Sequence, residues 1–242
     1  MLIAVLSDIH GNYDALQKVS PLLTEAEEIV VLGDTVGYGA EPDDCVHWVR
    51  EKAALCLMGN HDAACVDELP LTWFNPTAAE AVEWTRKNLS PASYRYLQEL
   101  PQGMEHRHGA SWVHGSPAEP LVEYITHASI ALGIFDRFDF SVCFFGHTHV
   151  AEVYEYQDGM VHTHSFAGGG TITLDPQRRY LVNPGSIGQP RDGNPQASLA
   201  LYNSDEGTVH VKRVKYDFRK AGEKILSAGL PEMLALRLLA GN

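Results

Sequence analysis

Met1-Leu2-Ile3-Ala4-Val5-Leu6-Ser7-Asp8-Ile9-His10-Gly11-Asn12 opens the chain. A short apolar run that stops at an acid, an imidazole and a glycine reads as a buried strand of a sheet covered on both faces. Two further stretches repeat the pattern. Ile29–Leu32 ends at Gly33-Asp34, and Ala54–Met58 ends at Gly59-Asn60-His61-Asp62. Helical segments lie between them, over Asn12–Glu27, where Pro21 is a potential break, and over Pro42–Lys52. Strand, helix, strand, helix, strand is the order of βαβ units with parallel strands.

Beyond residue 62 the pattern changes. Pro76–Asn88 and Ser90–Leu100 read as two helices, the second opening with Ser90 as cap and Pro91 as first helical residue. Strands resume at Ser111–His114 and Val142–Phe145. Residues 151–214 read mostly as β, with runs at Val153–Tyr156, Ser198–Tyr202 and Val209–Val214. Helices at Phe218–Ala228 and Pro231–Ala240 close the chain. With no repeat, low-complexity tract or linker, one domain over residues 1–242 is expected, with 63–100 as a candidate helical cap. Trp73, Phe74, Trp84, Tyr94 and Tyr96 in that segment fit either a lid or ordinary helix packing.

Composition narrows the function. The 242 residues are 45% hydrophobic and 20% charged, an ordinary globular balance. Eighteen Lys and Arg against 31 Asp and Glu leave a net charge of −13, which repels nucleic-acid backbones but not a small phosphate held by a local cluster. Cys45, Cys56, Cys65 and Cys143 show no C-x-x-C pair and read as free thiols in a reducing compartment. The N-terminus lacks the features of a signal peptide, and no apolar run approaches the ~18–20 residues of a membrane span. A soluble, cytoplasmic protein without membrane or stable nucleic-acid partners is expected.

Five of the twelve histidines fall at strand ends, in Asp8-x-His10, Asn60-His61-Asp62, His114-Gly115 and Gly146-His147-x-His149. Residues two apart at a strand end point the same way, and such ends are where open α/β sheets bind ligands. Each motif alone is weak. The ordered series D-x-H, G-D, G-N-H-D, H and G-H-x-H resembles the calcineurin-like metallophosphoesterase superfamily, and the likeness runs through essentially the whole chain. Asn183-Pro184-Gly185-Ser186 with Gln189-Pro190-Arg191 is similar to a segment of its small bacterial and archaeal phosphodiesterase branch.

The resemblance implies an α/β (α+β) fold: a four-layer αββα sandwich, two mixed β-sheets flanked by helices. It implies two divalent ions. Asp8, His10, Asp34 and His149 would bind one; Asp34, Asn60, His114 and His147 would bind the other, with Asp34 bridging. Such mixed donors suit Mn²⁺ first, then Fe or Zn²⁺. With two carboxylates and a bridging hydroxide the centre keeps a charge of about +1, suited to a phosphate oxygen. His61 is then the general acid or a phosphate hydrogen-bond donor, and Asp62 would orient its ring. Arg191 is open to two readings, a substrate contact or a loop salt bridge.

A metal-dependent phosphodiesterase acting on a small phosphodiester is the leading expectation. The rivals are a phosphomonoesterase or protein phosphatase, a dinucleoside polyphosphate hydrolase, and a non-catalytic metal-binding scaffold. The phosphatase relatives carry G-D-x-x-D-R-G; here Gly37-Tyr38 stands at Asp-Arg, which argues against them. A scaffold tends to lose ligands, and every one is kept here. Oligomeric state is not legible.

Overall fold

The computed structural model describes residues 1–242. In chain order the first half contains β1 (Leu2–Leu6), α1 (Tyr13–Val19), β2 (Glu28–Val31), α2 (Pro42–Lys52), β3 (Leu55–Cys56), α3 (Asn60–Cys65), α4 (Pro76–Asn88), α5 (Pro91–Gln98), β4 (Glu105–Arg107) and β5 (Ala110–Trp112). The second half contains α6 (Ala128–Arg137), β6 (Val142–Phe144), β7 (Ala151–Gln157), β8 (Met160–Ser165), β9 (Gly170–Thr173), β10 (Arg179–Pro184), β11 (Ala197–Asn203), β12 (Thr208–Val214), α7 (Phe218–Ser227) and α8 (Glu232–Ala240). Pro21 does end the first helix, leaving one 3₁₀ turn at Ser20–Leu23.

The strands form two six-stranded sheets, β3-β2-β1-β11-β12-β9 and β4-β5-β6-β10-β7-β8. Both are mixed. β1, β2 and β3 run parallel, as do β5, β6 and β10, while the remaining pairs are antiparallel.

Alternation along the strands separates three cores. Ile3 and Val5 of β1 face Trp112, Phe144 and Val182 across the space between the sheets. Ala4 and Leu6, their neighbours, face outward against α1, α2 and the C-terminal helices. On the far side Cys143, Phe145 and Leu181 meet Ile134 and Phe135 of α6. Helix, sheet, sheet, helix is the expected four-layer sandwich. No helix is long and apolar enough to cross a membrane.

Segment 63–100 resolves its two readings unevenly. Trp84, Tyr94 and Tyr96 pack onto the outer core with α3–α5, so most of its aromatics are helix packing. Phe74 alone reaches a candidate site residue, its ring 4.9 Å from His61. Helix α6 lies in a region where the sequence shows no start signal: its cap, His127, makes no side-chain cap bond. β3 spans two residues rather than five.

Trp112 is fully buried between the sheets and stacks on Phe144 at 4.7 Å. Trp112→Ala is expected to cost about 3–5 kcal/mol of stability, whereas Met160→Ala, at a residue 59% exposed, should stay within about 0.5 kcal/mol. Urea unfolding of the two variants measures both.

Candidate metal centre

Parallel neighbours send their carboxyl ends the same way, so the loops after β1, β2, β3, β5 and β6 converge at one end of the sandwich. They bring together Asp8, His10, Asp34 and His149 in one cluster and Asp34, His114 and His147 in a second. Asn60 joins the second, its Oδ1 3.2 Å from His114 Nε2. All are buried.

The backbone is forced to place them. Asp8, His10, Asp34, His147 and His149 adopt φ of 54°, 51°, 53°, 65° and 61°. Asp and His tolerate this left-handed region better than most residues, yet it remains unfavourable and concentrates at functional sites. Close approach demands glycine at 59: a Cβ there would lie 2.1 Å from Asp34 Oδ1.

Hydrogen bonds fix each donor atom. Asp34 Oδ1 accepts from the His61 amide at 2.8 Å, and Asp8 Oδ2 accepts from the His147 amide at 3.2 Å. The second oxygen of each, Asp34 Oδ2 and Asp8 Oδ1, is buried with no hydrogen-bond partner. Nδ1 of His10, His114 and His149 faces the carbonyls of Val36 (3.0 Å), Leu32 (3.0 Å) and Gln189 (2.6 Å). A carbonyl only accepts, so these Nδ1 atoms carry the proton and Nε2 is bare. His147 is reversed. Its Nε2 donates toward Val122 O at 3.4 Å, and its Nδ1 faces His114 Nε2 at 3.2 Å.

Bare nitrogens of His10 and His149 therefore oppose each other at 3.1 Å. Two lone pairs at that distance repel unless a cation lies among them. Asp34 Oδ2 stands 3.5 Å from His10 Nε2 and 3.7 Å from His114 Nε2, common to both clusters. Carboxylate, amide and imidazole donors with bare inward atoms fit divalent cations; no cysteine belongs to either cluster.

Charge is uncompensated without ions. Burial lifts Asp34 well above the usual carboxylate range, with Asp62 and Asp8 adding to it. Burial also acts to raise Asp8, but His149, His114 and His10 hold it low. Burial lowers His10, His61 and His147 well below the ordinary imidazole value and lowers His114 and His149 as well.

His61 lies beside this centre, its ring 4.4 Å from Tyr38 and 4.8 Å from His10. Asp62 does not orient that ring. Its carboxylate accepts instead from the amides of Thr35 (3.2 Å), Val36 (3.1 Å) and Gly59 (3.1 Å), tying two ligand loops together. His61 Nδ1 has no partner; it lies against Gly37, at φ 89°, where a Cβ would come within 2.4 Å of it. Nor does Arg191 make a salt bridge. It donates to Gln189 Oε1 (3.1 Å) and the Tyr38 hydroxyl (3.4 Å), lies 5.8 Å over the Tyr38 ring, and its charge helps to lower His61.

The motifs gave no sign of Tyr38 or Tyr124 as site walls; Phe74 was among the aromatics of the candidate cap. Tyr124 stacks on His147 at 3.7 Å. Only the unusual Gly37-Tyr38 pair was visible as a departure. The other histidines, at 47, 106, 108, 127, 162, 164 and 210, belong to neither cluster.

Fold and centre together define a phosphoesterase of the metal-dependent sandwich class, and the chain belongs to the calcineurin-like phosphoesterase superfamily, whose domain model matches residues 1–207. The crystal structure of a metallophosphoesterase from Sphaerobacter thermophilus is similar with a TM-score of 0.91 and 40% identity, over 100% of this chain and 99% of that one. An uncharacterised protein of Methanocaldococcus jannaschii is 36% identical over 100% of this chain and 98% of its own length. The fold is also that of a hypothetical protein from Pyrococcus horikoshii, with a TM-score of 0.78, 20% identity, and 100% and 98% coverage.

The depressed imidazoles set an acid limit for the chelated protein. On unfolding they regain a value near 6.5, so below that pH the unfolded chain binds more protons and stability falls as pH drops. Asp34, raised by burial, Asp62, raised by burial to about 6, and Glu152, raised by burial to about 7, act in the opposite sense above their ordinary values. Five imidazoles outweigh three carboxylates. The Tm of the chelated protein should therefore fall between pH 7 and pH 5; a Tm that holds or rises over that interval contradicts the burial argument.

Proposed function

We propose that this protein is a dinuclear metal-dependent phosphodiesterase. The observation that carries the reading is Asp34 Oδ2, bare, buried and shared between the two donor clusters. Asp8, His10, Asp34 and His149 would hold one ion and Asp34, Asn60, His114 and His147 the other, with Mn²⁺ the best match to the donors and Fe or Zn²⁺ next. When bound, such a pair supplies Lewis-acid polarisation of the phosphate and a water of lowered pKa for in-line attack.

The chain's own groups do the rest. Arg191, the cation at the rim without a carboxylate partner, binds a non-bridging phosphate oxygen. Its contact with the Tyr38 hydroxyl leaves the phenolic proton free to donate. His61 is held by the rings of Tyr38, His10 and Phe74, with Nδ1 sealed against Gly37, so Nε2 is the nitrogen that meets the substrate. There it protonates the leaving oxygen. A single guanidinium suits a diester monoanion. A monoester dianion needs one more cation, and Gly37-Tyr38 supplies none.

Three measurements test this. Asp34→Asn should lose both ions, read as metal content by mass spectrometry; full occupancy of both would exclude the shared ligand. His61→Ala should keep its metals yet lose about 10²–10⁴ in kcat, and the loss should shrink as the leaving group becomes more acidic. A loss independent of leaving-group pKa assigns His61 to phosphate binding instead. With Mn²⁺ saturating, kcat/KM for a 4-nitrophenyl diester should exceed that for 4-nitrophenyl phosphate. A tenfold preference for the monoester, about 1.4 kcal/mol in transition-state stabilisation, would refute the charge argument.

A further inference from the structure

Beside the metal centre lies a groove of about 470 Å³, walled by Leu69, Trp73, Gln102, Glu119, Leu121 and Val122. Its volume lies in the range of small-ligand sites, and two of its walls lead to residues that flank the centre. Trp73 adjoins Phe74, whose ring meets His61 edge-on at 4.9 Å. On the other wall the Val122 carbonyl faces His147 Nε2 at 3.4 Å, and Tyr124 stacks on that same ring.

We propose that this groove binds the nucleobase of a nucleoside leaving group, which rests on the phosphodiesterase reading above and names its substrate class. Trp73 is 63% exposed, and the 3₁₀ turn that carries it, Leu71–Trp73, buries none of its residues. A large indole left in water beside two leucines has no packing role and offers a stacking face. The charge pattern excludes phosphate as the occupant. No Lys or Arg lines the groove, and its one ionisable side chain is the carboxylate of Glu119. The phosphate belongs at Arg191 and the metal centre, and the uncharged part of the substrate in the groove. Position assigns which part: Trp73 on the groove wall precedes Phe74, whose ring meets His61, the residue proposed to protonate the leaving oxygen. Glu119 accepts only and Gln102 both donates and accepts. Together they match a base edge bearing an exocyclic amino group, as in adenine or cytosine.

The test uses the Mn²⁺-loaded protein, a dinucleoside monophosphate whose leaving nucleoside is adenosine or uridine, and a glycerophosphodiester without an aromatic group. The expected ratio of kcat/KM, adenosine diester over glycerophosphodiester, falls about tenfold or more in Trp73→Ala, the usual scale for one lost base stack. Glu119→Gln should narrow the preference for adenosine over uridine. Calorimetric titration of adenosine into the chelated protein gives a readout independent of turnover, with binding expected in the wild type and lost in Trp73→Ala. Thermal unfolding at the wild-type Tm establishes that the variant is folded. Unchanged ratios with undiminished diester hydrolysis overturn the groove assignment and leave the phosphodiesterase reading standing. Adenosine binding without hydrolysis of any diester does the reverse.

Discussion

Two carboxylate oxygens, Asp8 Oδ1 and Asp34 Oδ2, are buried without a hydrogen-bond donor, and around them stand imidazole nitrogens that also lack protons. Burying an unpaired polar atom costs a few kcal/mol, and burying a charge costs more. A divalent cation is the partner that such a set of carboxylate and imidazole donors fits. Everything nearby serves to keep these atoms bare. One oxygen of each carboxylate is occupied by a backbone amide, and the outer nitrogen of each ligand histidine by a carbonyl. The inner atoms then have nowhere else to turn.

The scaffold carries this in its backbone. Five of the seven donor residues sit at left-handed φ, a conformation that costs roughly 1–2 kcal/mol in an unfavourable residue and less in Asp or His. Summed, that is a sizeable part of an ordinary domain's ~5–15 kcal/mol. The loops are held against it from both sides. Gly33 and Asp34 accept from the amides of Asp8 and His10, and Asp62 binds three amides from the β2 and β3 loops. Ser186 Oγ reaches the Asp8 carbonyl at 2.8 Å, and Asn183 reaches that of Gly146 at 2.9 Å. The Asn183–Ser186 segment thus clamps the first and last ligand loops across the gap between sheets.

The clustering of these side chains was legible in the sequence because every one of them follows a strand, and strand ends are marked locally by glycine and by the change from apolar to polar residues. Four-layer architecture came with the motif series rather than from periodicity, since a buried parallel strand shows no alternation to read. Helix α6 was missed for want of a cap. The walls of the site were less legible, for another reason. Tyr124 reaches it from a long loop where nothing distinguishes it from a packing residue, while Phe74 and Arg191 each admit two readings in the sequence, lid or helix packing and substrate contact or salt bridge. Asp62 misled because adjacency to His61 suggested a partner for the imidazole. Its carboxylate instead turns toward the backbone of the helix start and the β2 loop, where three amides need an acceptor.

The distribution of charge and shape around the centre follows from that same constraint. Two divalent ions in the proposed centre would supply the positive charge that a phosphate needs, and a second or third fixed cation would repel them and weaken their binding. One guanidinium, held off the centre by Gln189 and the Tyr38 ring, adds charge at the rim without competing for the ligands. What remains of the rim is aromatic: Tyr38 over His61 and His10, Phe74 edge-on to His61, Tyr124 on His147. These rings exclude water from the imidazoles, which strengthens every electrostatic contact inside. They also present an apolar boundary to whatever is esterified to the phosphate. On the proposed phosphodiesterase reading, Arg191 would set the charge state of the phosphate that is accepted, while Phe74 and Tyr124 would bound the groups esterified to it. Arg191, Phe74 and Tyr124 lie on separate loops, so under that reading the two preferences could be altered independently of each other.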